Sequence, residues 1–341
     1  MAVAVEEVDT TTAPESLLRE MHDHYVGHDA ELLPDDPPQP FQQRMVGWRH
    51  IPEHQDVRRW ILREDGDIKG VAVTYMDKYE DLNNGFARVH VRPDSRRRGF
   101  AKLLASPALD VLEEGDRKSL ITDVPEGSPI EPKLGALGMK KSFQDKRSRL
   151  VIADLDWDLM DSWIEKAAER ASGYELLFLE TPFPEEYLEN WCAVMDVMNT
   201  APKEDLEFDD ATYTPEKWRD IEEKELAQGS RLVAYVAVDR ATGQFVGLSE
   251  IIVQKHQPDL AWQGDTGVHP DHRNMGLGRW LKAAAIKKVM ADHPDIERID
   301  TGNAGSNEPM LNINVAMGYH PILLTNAWQG DLALVRERLG A

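Results

Sequence analysis

The segment Val268-His-Pro-Asp-His-Arg-Asn-Met-Gly-Leu-Gly278 leaves a strand-like stretch, crosses a glycine-containing loop and enters a run of helix formers. A strand–loop–helix of this kind presents several backbone N–H groups at the positive end of a helix dipole, which suits a phosphate or pyrophosphate. Gly276 and Gly278 carry no side chain, so backbone can approach an anion closely. Arg273, together with Arg279 and Lys282, adds positive charge. The six-residue dinucleotide fingerprint is not met, because Arg279-Trp-Leu281 follows Gly278 without a third glycine, and a Walker A loop is absent. Taken alone, R-x-x-G-x-G also describes a tight turn before a solvated basic helix start.

The segment occurs twice. Val91-Arg-Pro-Asp-Ser-Arg-Arg-Arg-Gly-Phe-Ala101 shares V-x-P-D-x-R-x-x-G at an offset of 177, which also links Gly66 to Gly243 and Gly70 to Gly247. Leu137-Gly-Met139 faces Met317-Gly-Tyr319 at an offset of 180. Matches in constant order mark two copies of one domain. The first copy places Arg96, Arg97, Arg98 and Lys102 at its loop.

The elements that must position these loops follow one order in both copies. The patterns predict strands at Val3–Val8, Arg59–Arg63, Gly70–Met76, Phe86–Val91, Ser119–Val124 and Arg149–Leu155, with helices over Pro14–Tyr25 and Ala101–Glu113. In the second copy they predict strands at Tyr174–Glu180, Leu232–Val238, Val246–Val253, a stretch ending at Val268, Glu297–Thr301, Pro321–Leu324 and Asp331–Val335. Helices are expected from Pro184, over 215–228, over Leu277–Met290 and around Glu308–Met317. Each copy is thus mixed α/β, an antiparallel meander leading into a β–α–β unit. The expected division is 1–155, a linker helix over 156–173 carrying Leu159, Trp163 and Ala167 at a spacing of four, and 174–341.

Val268–Gly278 resembles the acyl-CoA signature of the GNAT N-acetyltransferase superfamily. Thr301-Gly-Asn-Ala-Gly-Ser-Asn-Glu-Pro-Met-Leu-Asn-Ile-Asn-Val-Ala-Met-Gly-Tyr319 is similar to that superfamily's later strand–helix segment. The resemblance covers both copies, and the tandem layout is most similar to mycothiol-synthase-like two-domain members. It implies two α/β domains, each a mostly antiparallel, splayed sheet flanked by helices. It implies acetyl-CoA as co-substrate, no metal, and transfer of an acetyl group to the amine of a small molecule. It further implies that backbone at Thr266 and Val268 pairs with the pantetheine arm. Backbone N–H groups of Asn274, Met275, Gly276, Leu277, Gly278 and Arg279 would hold the pyrophosphate, and Asn303 and Asn307 would lie along the arm. Asparagines after a strand are equally often helix caps.

Acyl transfer to an amine needs a deprotonated nucleophile, a stabilised oxyanion and a proton for the leaving thiolate. Asp265, near the strand end at Val268, and Glu250, inside the apolar run Val246–Val253, are the candidate bases. Many superfamily members carry a tyrosine four residues before the Gly-aromatic pair as acid to the thiolate. Asn314 stands there, and Leu134 in the first copy, so that role passes to another group or to water. The second copy is expected to be the catalytic one. The first replaces the second loop glycine by Ala101, has no asparagine in Pro125–Pro132, and places Pro107 inside its helix, where an interior proline costs about 3 kcal/mol and kinks the chain. Two other readings stay open: a non-catalytic acyl-CoA-binding regulator, and an acyltransferase using a longer acyl chain or a peptide amine.

Composition bounds the partners. The 341 residues carry 39 Lys and Arg against 61 Asp and Glu, a formal net charge of −22. That excess of acid argues against nucleic acid and anionic membrane surfaces and is compatible with a cationic acceptor. Glu204, Asp205, Glu207, Asp209 and Asp210 could face such an acceptor, or form a solvated loop; Trp191 and Trp262 could line its site, or belong to the core. One cysteine, Cys192, excludes an intrachain disulfide and fits a reducing compartment. The acidic start does not resemble a signal peptide, so a cytoplasmic protein, monomer or homodimer, is expected. His22, His24 and His28, and separately His269 and His272, lack the spacing of a complete metal shell and read as scattered surface residues.

Overall fold

The computed structural model describes residues 3–340, apart from the side chain of Ala168. The chain runs β1 (Val3–Glu7), α1 (Glu15–Leu32), α2 (Phe41–Arg49), β2 (Gln55–Glu64), β3 (Asp67–Asp77), β4 (Asn84–Val91), α3 (Phe100–Glu114), β5 (Ser119–Pro125), α4 (Glu131–Ala136) and β6 (Lys140–Val151). It continues with α5 (Trp157–Arg170), β7 (Tyr174–Glu180), α6 (Glu185–Met195), α7 (Pro215–Ala227), β8 (Ser230–Asp239), β9 (Phe245–Gln254), β10 (Leu260–Val268) and α8 (Leu277–Asp292). It closes with β11 (Arg298–Ala304), α9 (Glu308–Met317), β12 (His320–Asp331) and α10 (Leu332–Leu339).

Two units result, and neither is contiguous in sequence. The first comprises Met1–Asp145, Lys203–Asp209 and Leu323–Ala341; the second comprises Lys146–Pro202 and Asp210–Ile322. The division therefore differs from a linear split at 155 and 174. From Leu323 onward β12 belongs with the first unit, where it pairs antiparallel with β5 from Thr325↔Pro125 to Asp331↔Ser119. From Lys146 onward β6 lies beside β11 in the second unit. The helix expected as a linker, α5, is part of the second unit's core: Met160 and Trp163 are buried with Ile286 and Val289 of α8.

In the first unit β1 to β4 form the meander, and β4 pairs parallel with β5. The Asp65-Gly66 turn between β2 and β3 has positive φ at both residues (51° and 97°), the conformation that favours a tight hairpin. Leu18 and Met21 of α1 pack with Trp48 and Ile61, and Phe100 and Leu104 of α3 pack against Trp60 and Leu62. The helix α3 runs through Pro107. In the second unit β7 to β10 form the meander and β10 pairs parallel with β11. Leu281 of α8 packs with Ala237 and Val246, and Ile286 with Val233, Ile251 and Ile299, while Leu188, Trp191 and Trp218 pack with Leu232 and Leu248. Trp191 is thus core, not a wall of a site. The strand expected at Asp331–Val335 is instead the start of α10, with the Asp331 side chain accepting from the Leu334 N–H as its cap.

Both copies splay at the same place. Pairing of β4 with β5 ends at Phe86↔Ile121, and pairing of β10 with β11 ends at Gln263↔Thr301. Phe86 and Gln263 are 177 residues apart, and beyond them β4 and β10 each run on alone on that side, to Val91 and Val268.

Candidate active site

The two copies differ at one point of register. β10 opposes β9 from Ala261↔Val253 to Gln263↔Ile251, then resumes at Thr266↔Ser249 and continues to Val268↔Gly247. Gly264 and Asp265 therefore bulge opposite Glu250, and such bulges re-aim side chains beside functional sites. The Asp265 N–H donates to Glu250 Oε1 at 3.0 Å. A Cβ on Gly264 would lie 2.4 Å from the same oxygen, so any larger residue there must displace the carboxyl or the strand. Gln263 Nε2 donates to the Glu250 carbonyl and to Ser249 Oγ, Ser249 Oγ shares a hydrogen bond with Thr266 Oγ1, and Thr301 Oγ1 donates to the Gln263 carbonyl. In the first copy the register is unbroken from Gly70↔Val91 to Tyr75↔Phe86. Val73, Ala87 and Arg88 stand there at the positions of Glu250, Gly264 and Asp265.

Glu250 is buried, and its Oε2 has no partner among the described residues. Burial, reinforced by the charge of Asp265 and more weakly of Glu225 on α7, pushes its carboxyl up to about 8. Burial also raises Asp265 and Glu225. Three carboxyls thus share one region of the second unit. The sequence signalled two of them; Glu225 was missed because its helix reads as amphipathic surface.

The loop before α8 is shaped to expose backbone donors. Asn274 and Gly276 adopt left-handed φ (67° and 85°). Among the described residues the N–H groups from Asn274 to Arg279 have no acceptor; helical bonding resumes where Trp280 N–H meets the Gly276 carbonyl at 3.1 Å. A Cβ on Gly276 would touch nothing within 4 Å, so this face is open. The first copy repeats the geometry, with Arg97 at 62° and Gly99 at 85°.

The cations of the loop are not those expected. Arg273 is a brace: its Nε donates to the Val268 carbonyl at 2.9 Å and its Nη2 to Thr200 Oγ1 at 2.7 Å. Lys282 is buried on α8, its Nζ 3.9 Å from Met310 Sδ, and burial lowers it to about 7. Arg279 instead shares a shallow cleft with Lys166 and Arg170 of α5, beside Trp163, Met275 and Gly276. No ion pair engages any of these three cations among the described residues. In the first copy Arg96 is paired with Glu31 and Arg98 with Glu64.

Asn303 Oδ1 accepts from Asn314 Nδ2 at 2.7 Å, and Asn307 caps α9 by accepting from the Met310 N–H. Tyr319 is core, its hydroxyl raised by burial. Most of the acidic run expected near an acceptor belongs to the first unit: the Asp205 N–H bonds the Ser142 carbonyl, and the Glu207 carbonyl accepts from Asn84 and Gln329. His272 Nδ1 meets the Tyr174 hydroxyl at 2.8 Å. His24 and His28, read as scattered, are instead gathered around His90, a residue the sequence had no means of joining to them.

The model of the acetyltransferase (GNAT) family matches residues 18–126 and 195–319. Among solved structures, a tandem GNAT protein from the clavulanic acid biosynthesis pathway, solved without AcCoA, is 22% identical with a TM-score of 0.77, covering 97% of this chain and 99% of that one. A GCN5-related N-acetyltransferase from Sphaerobacter thermophilus is 12% identical with a TM-score of 0.67, covering 97% and 96%. A GCN5-related glucosamine N-acetyltransferase region of a fungal multi-domain GH3 β-N-acetylglucosaminidase is 13% identical with a TM-score of 0.65, covering 96% of this chain and 38% of that one. No curated protein sequence matches. At these identities the likeness is one of fold. With both copies matched, each carrying the splay and the left-handed loop, the chain belongs to the acetyltransferase (GNAT) family.

Proposed function

We propose that the chain acetylates the amine of a small, positively charged molecule at the expense of acetyl-CoA, and that the second copy does so. The bulge at Gly264-Asp265 with Glu250 opposite it carries this reading, because the first copy lacks both the bulge and the carboxyls.

Acetyl-CoA is implied by the family, and the residues present fit it. The unpaired N–H groups from Asn274 to Arg279 suit the pyrophosphate, and Lys166, Arg170 and Arg279 suit the remaining phosphate. Beyond Gln263 the free edge of β10 at Thr266 and Val268 can pair with the amides of the pantetheine arm. Bound there, acetyl-CoA supplies the activated acetyl thioester.

An ammonium acceptor is attracted by Glu225 and Asp265, while Glu250 holds its proton up to about 8. Asp265, less buried than Glu250, ionises first and takes the proton from the ammonium. The freed lone pair attacks the thioester carbonyl; the N–C bond forms, the C–S bond breaks, and the acylated nitrogen gives its second proton to solvent. Asn314, bonded to Asn303, offers no acid, so the thiolate takes its proton from solvent.

The test is thiol release and product mass with acetyl-CoA over cationic, neutral and acidic amines. Turnover confined to cationic amines is expected, with kcat reduced about 100-fold or more by Asp265→Asn while acetyl-CoA binding persists. Tight acetyl-CoA binding without turnover on any amine would overturn the reading.

A further inference from the structure

The first copy builds something different at the corresponding place. His28 and Glu31 lie three residues apart on α1, one turn on a shared face, and His90 near the end of β4 comes up against them. The rings of His28 and His90 have centroids 4.0 Å apart, and Glu31 Oε1 is 3.1 Å from His90 Nε2. One donor atom from each of the three lies within 4.8 Å of the other two. Donors around a tetrahedral ion at about 2.0–2.1 Å stand about 3.3 Å from one another, so small side-chain rotations close the set.

The atoms facing away from this centre are tied down. His90 Nδ1 lies 2.8 Å from His24 Nε2, and Glu31 Oε2 is held by Arg96. A ligating imidazole whose other nitrogen is hydrogen-bonded, and a ligating carboxylate whose other oxygen is fixed, are the outer-shell features of built metal sites. The Nδ1 atoms of His24 and His28 are buried without partners among the described residues, an arrangement that a closed hydrogen-bond network would not leave. Glu31 is exposed at one edge and gives an ion access from solvent. Two imidazoles with one carboxylate suit zinc and its first-row neighbours rather than magnesium or calcium.

We propose that His28, Glu31 and His90 bind a divalent first-row transition-metal ion, of which Zn²⁺ is the type, with His24 and Arg96 as positioning residues. The first copy then carries a metal site beside the loop where the second carries its open donor loop.

The experiment uses the full chain after chelator treatment. Zn²⁺ is titrated in by calorimetry, and Co²⁺ by visible absorption. One equivalent per chain is expected, with the intense bands of four-coordinate Co²⁺. Affinity should fall about 100-fold or more in His28→Ala and His90→Ala, and about tenfold in His24→Ala. Circular dichroism of each metal-free variant establishes that it is folded. A His269→Ala/His272→Ala variant should bind as the parent does. Absence of stoichiometric binding in the parent, unchanged affinity in folded His28→Ala and His90→Ala, or loss in the His269/His272 variant would each overturn the proposal.

Discussion

The Asp265 N–H donates to Glu250 Oε1 at 3.0 Å across the β10 bulge, while Glu250 Oε2 is buried without a partner among the described residues. One oxygen of the carboxyl is thus held by the strand, and the other is free to carry a proton.

Glu250 should impose a pH limb on both activity and stability. Its carboxyl holds its proton in the fold to about 8, against 4.5 when exposed. The native state therefore binds more protons than the unfolded one between those values, and stability falls as pH rises from about 4.5 to about 8. Glu250→Gln should flatten that dependence in urea unfolding measured across this window. If Glu250 assists Asp265 in taking the amine proton, kcat/KM should climb as pH rises through about 8, and the Gln variant should lose the limb with about 100-fold in kcat.

Gly264→Ala probes the bulge itself. The new Cβ would stand 2.4 Å from Glu250 Oε1 and 2.9 Å from its Cγ, so the buried carboxyl or the strand must shift. The expected cost is about 1–3 kcal/mol by chemical denaturation, with at least tenfold loss of kcat. Acetyl-CoA affinity, set mainly beyond the bulge, should change little.

The two loops permit a matched comparison. Gly276 and Gly99 share φ 85°, and a Cβ at either meets nothing within 4 Å, so a glutamate strains both equally. Calorimetry should show acetyl-CoA binding abolished by Gly276→Glu and retained by Gly99→Glu. Loss only in the Gly99 variant would assign the donor site to the first copy.

Lys166, Arg170 and Arg279 should each contribute to donor affinity by about three- to tenfold when replaced by alanine, less at high salt. Dephospho-CoA should be less sensitive than CoA to these changes, which binding isotherms on the two ligands can establish.

Much of this was legible before the fold. V-x-P-D-x-R-x-x-G-x-G located the β10–α8 loop, and the expected bounds of β7 and α9 coincide with the observed ones because turn and cap residues flank them. The 177-residue offset carried through to the register, where Gly70↔Val91 and Gly247↔Val268 are equivalent pairs. What failed to show depends on distant contacts. β9 is buried along most of its length, so no alternation told whether Glu250 faced water. His90 lies 62 residues from His28 along the chain, and only folding joins them. The placement of β12 and β6 follows from pairing partners that no local pattern names. Lys166 and Arg170 lie in the stretch expected as a linker helix, and nothing local in the sequence tied them to the loop before α8.

Lys282 gives the opposite stability profile to Glu250. It is wholly buried on α8, its amine 3.9 Å from Met310 Sδ and 5.7 Å from the centroid of the Tyr319 ring, with no ion pair among the described residues, and burial lowers it from 10.5 to about 7. The unfolded chain keeps its proton to higher pH than the fold does, so the penalty is greatest below about 7 and is relieved as pH rises towards 10.5. Lys282→Met keeps the length of the side chain and removes the charge. It should stabilise the chain by about 1–3 kcal/mol at pH 6, with the gain shrinking by pH 10, as read from urea midpoints at the two values. A Met variant less stable than the parent at pH 6 would mean that the amine finds a partner that burial alone does not reveal.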